Sequence, residues 1–194
     1  MEQDGQQFVR VVDYKSGAKP FRLADIVNGL NLQMFLYLFN VCADGSNPYA
    51  GVPAGVLYMH AARSVMTVET KSSAEKDIAG QEDKAFGMNG IVITNPDCDI
   101  PAAMEHDLAG KYIPVRLKKS GVGGSLASLE QLGLLQRKIE ALVADMGNAL
   151  QNGQIGQHPV QAKDHDKTCE YCDFASVCAF KKSVTPVSYT HLRA

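Results

Sequence analysis

With 194 residues, of which 45% are hydrophobic, the chain is long enough to bury the core of one globular domain. Its 19 basic and 21 acidic side chains give a formal net charge of -2, so any contact with nucleic acid must come from local clusters and not from a general positive field. No stretch of about 18 uncharged apolar residues occurs, and the first residues, MEQDGQQF, lack the basic and apolar regions of a signal peptide. The sequence therefore predicts a cytoplasmic protein without membrane contact.

The first half of the chain is predicted to alternate strands with a long helix. Residues 8–14 (FVRVVDY) are β-branched and aromatic, and the preceding Asp4 and Gly5 are a turn signal, so this strand is expected to be the second of a hairpin. Its partner is expected to be missing from an N-terminally truncated chain. Apolar residues on almost every side predict one largely buried helix over residues 23–45. Further strands are predicted at residues 52–62, 88–94 and 111–119.

A second long helix is predicted to begin at a capping box formed by Ser128 and Gln131, with apolar residues at helical spacing up to Leu150. The Gly- and Ser-rich residues 120–128 before it are predicted to be a flexible loop. Residues 1–182 are therefore expected to form one α/β domain in which helices flank a mixed sheet. Residues 183–194 (SVTPVSYTHLRA) have no periodic pattern and resemble a translated adapter sequence, so we interpret them as a non-native tail.

The first candidate site is the end of the strand, where Asp13 and Lys15 follow a run of apolar residues. Side chains two apart on a strand share a face, so the two are expected to point to one spot, with Val9 and Val11 behind them on the same face. A carboxylate there can bind a hard divalent cation, and an ammonium can orient a water or stabilise charge on a phosphate. The alternative is an ordinary surface ion pair at the end of a strand.

Two polar residues in the predicted helix add to this candidate site. Gln33 and Tyr37 are four residues apart and therefore lie on one helix face, within a segment that is otherwise apolar. An amide and a phenol near a strand that ends in Asp-Tyr-Lys can position a phosphodiester or a water. The alternative is structural, with Gln33 bonded to a backbone group and Tyr37 packed with its hydroxyl at the rim.

Three cysteines lie close together near the C-terminal end, at Cys169, Cys172 and Cys178. Their C-x2-C-x5-C spacing suits one metal centre in a reduced compartment. A zinc ion would take His165 as a fourth ligand, whereas an iron-sulfur cluster would need a fourth cysteine. Cys42 at the end of an apolar helix and Cys98 between two aspartates are poor candidates for it.

A cluster of basic residues is the last candidate site, and it consists of Lys111, Arg116, Lys118 and Lys119. Such a run can follow a phosphate backbone, although a solvated strand end is the commoner reason for one.

These motifs together resemble a known family. "VVDYKSG" followed by "GLNLQMFLYLF" is similar to the second half of the RecB-type nuclease motif of the PD-(D/E)xK superfamily, with Asp13 and Lys15 in its D-x-K and Gln33 and Tyr37 in its Q-x-x-x-Y. The resemblance extends over about residues 8 to 180 to AddB-type subunits of bacterial helicase-nucleases, through stretches such as "AGVLYMHAAR" and "GIVITNPD".

The resemblance implies a restriction-endonuclease-like core and a Mg2+-dependent nuclease that cuts single DNA strands unwound from a double-strand break. Asp13 would bind Mg2+, Lys15 would act on the water or the phosphate, and Gln33 and Tyr37 would position the strand. The three cysteines would hold a [4Fe-4S] cluster together with one cysteine far upstream. The implied partner is an AddA-like helicase-nuclease subunit in a heterodimer.

One departure from the family pattern bears on activity. RecB-type nucleases carry another metal-binding aspartate on the strand before the D-x-K strand, and no residue before Val9 matches it, because Asp4 is assigned to the turn. The chain is therefore expected to hold part of an active site and to be inactive alone. Two alternatives remain open, a CRISPR-associated exonuclease with the same motifs and a non-catalytic DNA-binding module stapled by zinc.

Overall fold

The structure, a computed structural model, describes residues 2–3, 5–17, 20–61, 86–154, 156, 169 and 172–178. The strands are β1 (Glu2–Gln3), β2 (Gln6–Lys15), β3 (Val52–His60), β4 (Asn89–Thr94), β5 (Val115–Lys118), β6 (Gly121–Gly124) and β7 (Leu126–Ser128). The helices are α1 (Leu23–Val27), α2 (Gln33–Ala43), α3 (Ile100–Met104), α4 (Leu129–Gln151) and α5 (Ala175–Cys178). The chain divides into two compact units, residues 1–142 and 143–194.

The first unit is built on a mixed five-stranded sheet with the strand order β1-β2-β3-β4-β7. β2 pairs in parallel with β3, and β4 with β7, whereas β1 with β2 and β3 with β4 are antiparallel. β5 and β6 form a separate antiparallel hairpin. The parallel step from β2 to β3 requires a crossover, which α1 and α2 provide. The prediction of a mixed α/β fold with flanking helices is confirmed.

Both faces of the sheet are buried, because side chains alternate between the two faces along each strand. One face packs against α1, α2 and the first half of α4, with a core of Ile26, Met34, Phe35, Leu38, Val56, Tyr58, Ile91, Ile93, Leu132 and Ile139. The other face packs against α3 and the residues leading into β5, with a core of Phe8, Ala54, Leu57, Val92, Ile100, Leu108, Ile113 and Val115. None of the described helices is long and apolar enough to cross a bilayer.

The prediction of one helix over residues 23–45 is wrong, since α1 ends at Val27 and α2 begins at Gln33. Between them, Gly29 and Asn31 have φ values of 85° and 57°, which a helix does not allow. The Asn31 side chain stabilises the break by donating a hydrogen bond from Nδ2 to Oδ2 of the buried Asp25, at 3.2 Å. The break turns the chain so that α2 can pack on β2 and β3.

The Gly- and Ser-rich residues 120–128 also differ from the prediction, because they form β6 and β7 and not a flexible loop. The strand predicted at 111–119 is shortened to β5. β2 is the second strand of a hairpin, as predicted, but the expectation that its partner is missing is wrong, because β1 supplies two residues of that partner. The capping box at the start of α4 is confirmed, since the backbone N–H of Gln131 donates to Ser128 Oγ at 3.1 Å and that of Ser128 donates to Gln131 Oε1 at 2.9 Å.

Candidate active site

The candidate site lies at the C-terminal end of β2, next to the centre of the sheet. Asp13 is paired with Tyr58 of β3, and Tyr58 is paired in turn with Asn89 of β4. Lys15 is paired with His60, and its carbonyl accepts a hydrogen bond from Ala61 N at 2.9 Å, so the strand is held to its last residue. The backbone at Asp13 and Lys15 is therefore paired with a neighbouring strand up to the end of β2.

Asp13 and Lys15 form an ion pair, with 2.5 Å between Asp13 Oδ2 and Lys15 Nζ. Their side chains are 27% and 35% exposed, so the pair lies at the rim of the core. Oδ2 itself is closed to solvent, and among the described residues it is met by the ammonium of Lys15. The short contact with Asp13 raises the pKa of Lys15, against an opposing effect of desolvation, so the ammonium stays charged at neutral pH.

Tyr58 is a site residue that the sequence analysis missed. Its side chain is buried, at 5% exposure, and Lys15 Nζ lies 5.9 Å from the centroid of its ring. Burial raises the pKa of Tyr58, the charge of Lys15 opposes this shift, and the charges of Asp13 and Asp25 add to it. A tyrosine within the strand pattern VPAGVLYMH, at a position that alternation places on the buried face, was the available signal.

Gln33 and Tyr37 are hydrogen-bonded to each other, with Gln33 Nε2 donating to Tyr37 Oη at 2.7 Å. They share one face of α2, as predicted, but the expectation that they lie in a buried segment is wrong. Gln33 is exposed and Tyr37 is 51% exposed, because α2 buries Met34, Phe35 and Leu38 on its opposite side. Within the described residues, no hydrogen bond or ion pair joins these two side chains to Asp13 and Lys15.

A second carboxylate close to Asp13 is not supplied by β1. Glu2 is paired with Gln7, six residues along β2 from Asp13, which is about 20 Å at roughly 3.3 Å per residue. Asp25 contributes negative charge near Tyr58, but its carboxylate accepts the hydrogen bond from Asn31. In the part of the chain that the structure describes, no three His, Cys, Asp or Glu side chains are arranged to hold a metal ion.

The three clustered cysteines belong to the second unit. Cys172 is exposed, Cys169 and Cys178 are half-buried, and all three are free thiols. The Cys172 carbonyl accepts from Ala175 N at 3.0 Å and Cys178 N donates to the Phe174 carbonyl at 2.8 Å, so the segment is one tight helical turn. These thiols, all among the described residues, are not gathered as a three-ligand metal site. His165, the alternative zinc ligand, lies outside the described residues.

The four basic residues of the predicted cluster differ in their relation to a cleft. Arg116 and Lys118 line a cleft beside β4, whereas Lys111 and Lys119 do not. Lys111 instead lies over the ring of Tyr112, with Nζ 5.2 Å from the centroid. The cluster is therefore divided into two residues that face a cavity and two that do not.

A carboxylate that sequence reasoning missed stabilises the backbone next to this cleft. Glu105 is 7% exposed and accepts hydrogen bonds from the backbone N–H groups of Lys111, Tyr112 and Ile113, at 2.9 to 3.0 Å. Burial alone would raise the pKa of Glu105, but these hydrogen bonds outweigh it and lower the pKa. The ionised side chain thus fixes the turn that leads into β5.

A parallel β2–β3 pair ending in Asp-x-Lys, crossed over by a helix with Gln-x-x-x-Tyr, suggests a nuclease core, and comparison with known families agrees. Residues 1–179 match the family model of the PD-(D/E)XK nuclease superfamily. The chain belongs to that superfamily. The implied nuclease fold is confirmed.

Within the superfamily, the chain is similar to AddB, a subunit of the ATP-dependent helicase/deoxyribonuclease, as the AddB-type resemblance predicted. It is 28% identical to this subunit from Listeria welshimeri over 98% of the chain, 30% identical to that from Clostridium acetobutylicum over 100%, and 31% identical to that from Bacillus thuringiensis over 99%. Each alignment covers 17% of the relative. The chain therefore spans about a sixth of the length of these relatives.

Proposed function

We propose that this chain is the nuclease region of a helicase-nuclease and that it hydrolyses phosphodiester bonds in single strands unwound from a broken DNA end, with Mg2+ as its cofactor. The observation that carries the proposal is the ion pair of Asp13 and Lys15 at the end of β2, in which the solvent-closed oxygen Oδ2 of Asp13 is met by the ammonium of Lys15. A carboxylate and an ammonium held together in a partly desolvated place at a strand end are typical of a functional site.

Asp13 fits Mg2+ as one ligand of a larger set. Its oxygens are of the hard, anionic kind that Mg2+ prefers, and the charged group beside them is the Lys15 ammonium. The remaining ligands are not assembled by the described residues. Mg2+, when bound, supplies charge stabilisation for the phosphate oxygens and activation of a water. Because one carboxylate binds a hard cation weakly, the chain assayed alone is expected not to cleave DNA.

The other site residues have roles that follow from their positions. Lys15, charged at neutral pH, donates a hydrogen bond to a phosphate oxygen or holds the attacking water. The buried Tyr58 ring lies next to the Lys15 ammonium and limits the positions that this ammonium can take. Gln33 and Tyr37 are exposed on α2, which packs on the same face of the sheet as Tyr58, and an amide and a phenol there can position the DNA strand.

The cysteines and the partner complete the proposal. Cys169, Cys172 and Cys178 are free and have the spacing of a cluster segment, so we propose that they bind three irons of a [4Fe-4S] cluster, whose fourth ligand is a cysteine outside this chain. The relatives are named as subunits of an ATP-dependent helicase/deoxyribonuclease. On this basis an AddA-like subunit is the proposed partner and DNA the proposed substrate.

The test uses a chimeric subunit, called the graft, in which this chain replaces the matching region of AddB from Listeria welshimeri. The graft is produced together with the other subunit of that enzyme. Asp13→Asn keeps the size of the side chain but removes its charge. We expect this substitution to lower Mg2+-dependent cleavage of a labelled single strand by about a thousandfold or more, as removal of a group that stabilises the transition state does. Lys15→Ala should be equally inactive but should bind Mn2+ as tightly as the unsubstituted graft.

The matched control is Asp107→Asn, because Asp107 is an exposed aspartate paired with the adjacent His106 at 3.0 Å. Its cleavage rate should equal that of the unsubstituted graft. Unchanged cleavage by Asp13→Asn would contradict the proposed function. Equal loss of Mn2+ affinity in Lys15→Ala would contradict the division of roles between the two residues.

A further inference from the structure

A cleft of about 550 Å³ opens beside the start of β4, between that strand and the β5–β6 hairpin. Its lining includes the backbone of Gly110 and Gly124, the apolar side chain of Ile113, the polar Asn89 and two cations. None of the described residues that line it is acidic. Both charged side chains among the described lining residues are therefore positive.

The two cations of the cleft are Arg116 and Lys118. They are two apart on β5 and so share one face of the hairpin. Arg116 lies over Gly110, with its Nε 3.4 Å from the point where a Cβ would lie, and the Lys118 side chain lies along Gly123 at the same separation. Among the described residues, neither cation has an acidic partner. Two cations that face one cavity without a counter-ion favour an anionic ligand.

The frame of the cleft is held in place by backbone hydrogen bonds. The Glu105 carboxylate fixes residues 111–113, and the Tyr112 carbonyl accepts from Met88 N at 2.9 Å, which ties this segment to the start of β4. Ser125 N donates to the Pro114 carbonyl at 2.9 Å. At Gly124, φ is 140° and a Cβ would lie 2.2 Å from that same carbonyl, so only glycine allows the hairpin to approach this closely. Arg116 and Lys118 therefore project from a backbone segment that hydrogen bonds hold in place.

The cleft lies at the same end of the sheet as the candidate active site. Asn89, which lines it, is in register with Tyr58, and Tyr58 is in register with Asp13. Two strand spacings of about 4.8 Å place the backbone of Asn89 roughly 10 Å from that of Asp13. At about 3.4 Å or more per phosphate, a few nucleotides span this distance. Because Met88 and Ile113 of the cleft pack in the core on the sheet face opposite Tyr58, a DNA strand that reaches both places passes around this end of the sheet.

We propose that this cleft binds a backbone phosphate of the same DNA strand that is cut at Asp13, a few nucleotides from the scissile bond, through Arg116 and Lys118. The inference rests on the proposed function for the substrate, and it separates these two residues from Lys111 and Lys119. Arg116 supplies the planar fork that suits a phosphate, and Lys118 adds a second charge. The contact is with the backbone and so does not depend on base sequence.

The experiment measures binding of the 194-residue chain to a fluorescein-labelled oligothymidylate by anisotropy, with EDTA present so that no cleavage occurs. Each phosphate contact on a single strand contributes about 0.7 to the slope of log affinity against log salt. Arg116→Ala with Lys118→Ala should weaken binding by about tenfold or more and reduce the slope by about 1.4. The matched control removes the same charge at Lys111→Ala with Lys119→Ala and should change neither quantity appreciably.

Two further variants separate charge from folding. Arg116→Lys with Lys118→Arg keeps both charges and should keep most of the affinity. If circular dichroism shows that the alanine pair is unfolded, Arg116→Gln with Lys118→Gln replaces it in the comparison. A methylphosphonate oligonucleotide, which lacks backbone charge, should bind the unsubstituted chain and the alanine pair alike. Equal effects of the two alanine pairs, or no binding by the unsubstituted chain at low salt, would overturn the inference. Because metal and cleavage play no part here, such a result leaves the Asp13 test of the proposed function standing.

Discussion

At the scale of single residues, the carboxylates of Glu105 and Asp13 in the first unit differ in the groups that surround them, and this difference indicates different roles. Both oxygens of Glu105 accept backbone N–H groups, three in all, so its charge is compensated by donors that are always present. Asp13 Oδ2 is closed to solvent, and among the described residues its charge is met by the mobile side chain of one lysine, Lys15, and not by backbone donors. Glu105 therefore stabilises the fold, whereas we propose that Asp13 binds a cation.

We expect Glu105→Gln to lower the free energy of unfolding by about 1 to 3 kcal/mol. The amide keeps the size of the side chain, but its nitrogen cannot accept a hydrogen bond, so at least one backbone N–H of residues 111–113 loses its partner. Urea unfolding measures the change. Glu140→Gln, at an exposed residue that accepts one hydrogen bond from Gln136, should change stability by less than about 0.5 kcal/mol. Equal effects at the two positions would contradict the role given to Glu105.

The same substitution has a pH dependence whose sign follows from the lowered pKa of Glu105. In the unfolded chain the carboxyl titrates near 4.5, and in the folded chain below that value. The stability contributed by Glu105 is therefore fully present above pH 4.5 and is lost as the pH falls through the folded pKa. The stability difference between the unsubstituted chain and Glu105→Gln should be constant in neutral solution and should shrink in acid. A difference that grows in acid would contradict this account.

Sequence reasoning succeeded at the residue scale where the neighbours were local. Asp13 and Lys15 could be paired because alternation along one strand places them together, and Gln33 and Tyr37 because helical spacing does so. Tyr58 could not be assigned to the site, since its proximity to Asp13 depends on a strand that is distant in sequence. Exposure of Tyr37 was mispredicted for the same reason, because the buried face of a helix is set by what it packs against.

At the scale of helices and strands, the sequence again predicts features that are set by residues close together in the chain and misses those that depend on distant residues. The start of α4 was predictable because Ser128 and Gln131 satisfy each other within one helical turn. The break between α1 and α2 was missed because the many apolar residues around Gly29 and Asn31 favoured one continuous helix. Both residues have positive φ, and Asn31 donates a hydrogen bond to Asp25. β6 and β7 were missed because their glycines have low strand propensity, and only pairing with β5 and β4 makes them strands.

We expect Ser128→Ala to lower the free energy of unfolding of the first unit by about 1 kcal/mol, because the Gln131 N–H loses its acceptor at a helix start. Ser128→Asp should recover most of the loss, since a carboxylate can accept the same hydrogen bond and favours the N-terminus of a helix. Thermal unfolding followed by circular dichroism measures both variants. The control is Ser125→Ala, because Ser125 is hydrogen-bonded through its backbone, which the substitution keeps. An equal loss in the control, or no rescue by Asp, would contradict the capping account.

At the scale of the whole molecule, strand order brings together chemistry that is distant in sequence. The row Asp13, Tyr58 and Asn89 crosses three strands and joins the candidate active site to the basic cleft. Arg116 and Lys118 reach this end of the sheet because Glu105 and the hairpin hold them there. The fold class and half of the site followed from short motifs, whereas the position of the cleft depends on long-range pairing that composition does not encode.

The three clustered cysteines of the second unit are one ligand short of a [4Fe-4S] cluster, and this gives a prediction about iron binding. A [4Fe-4S] cluster takes four thiolates, and Cys169, Cys172 and Cys178 supply three, so the chain alone should load iron poorly while the graft, prepared without oxygen, loads it fully. Cys172→Ser in the graft should abolish the broad visible absorption of the cluster and the bound iron. Cys42→Ala is the control, since burial raises the pKa of the Cys42 thiol and so disfavours the thiolate that iron requires, and this variant should keep its cluster. Stoichiometric zinc in place of iron, lost on His165→Ala, would overturn the cluster and support the zinc-stapled module instead.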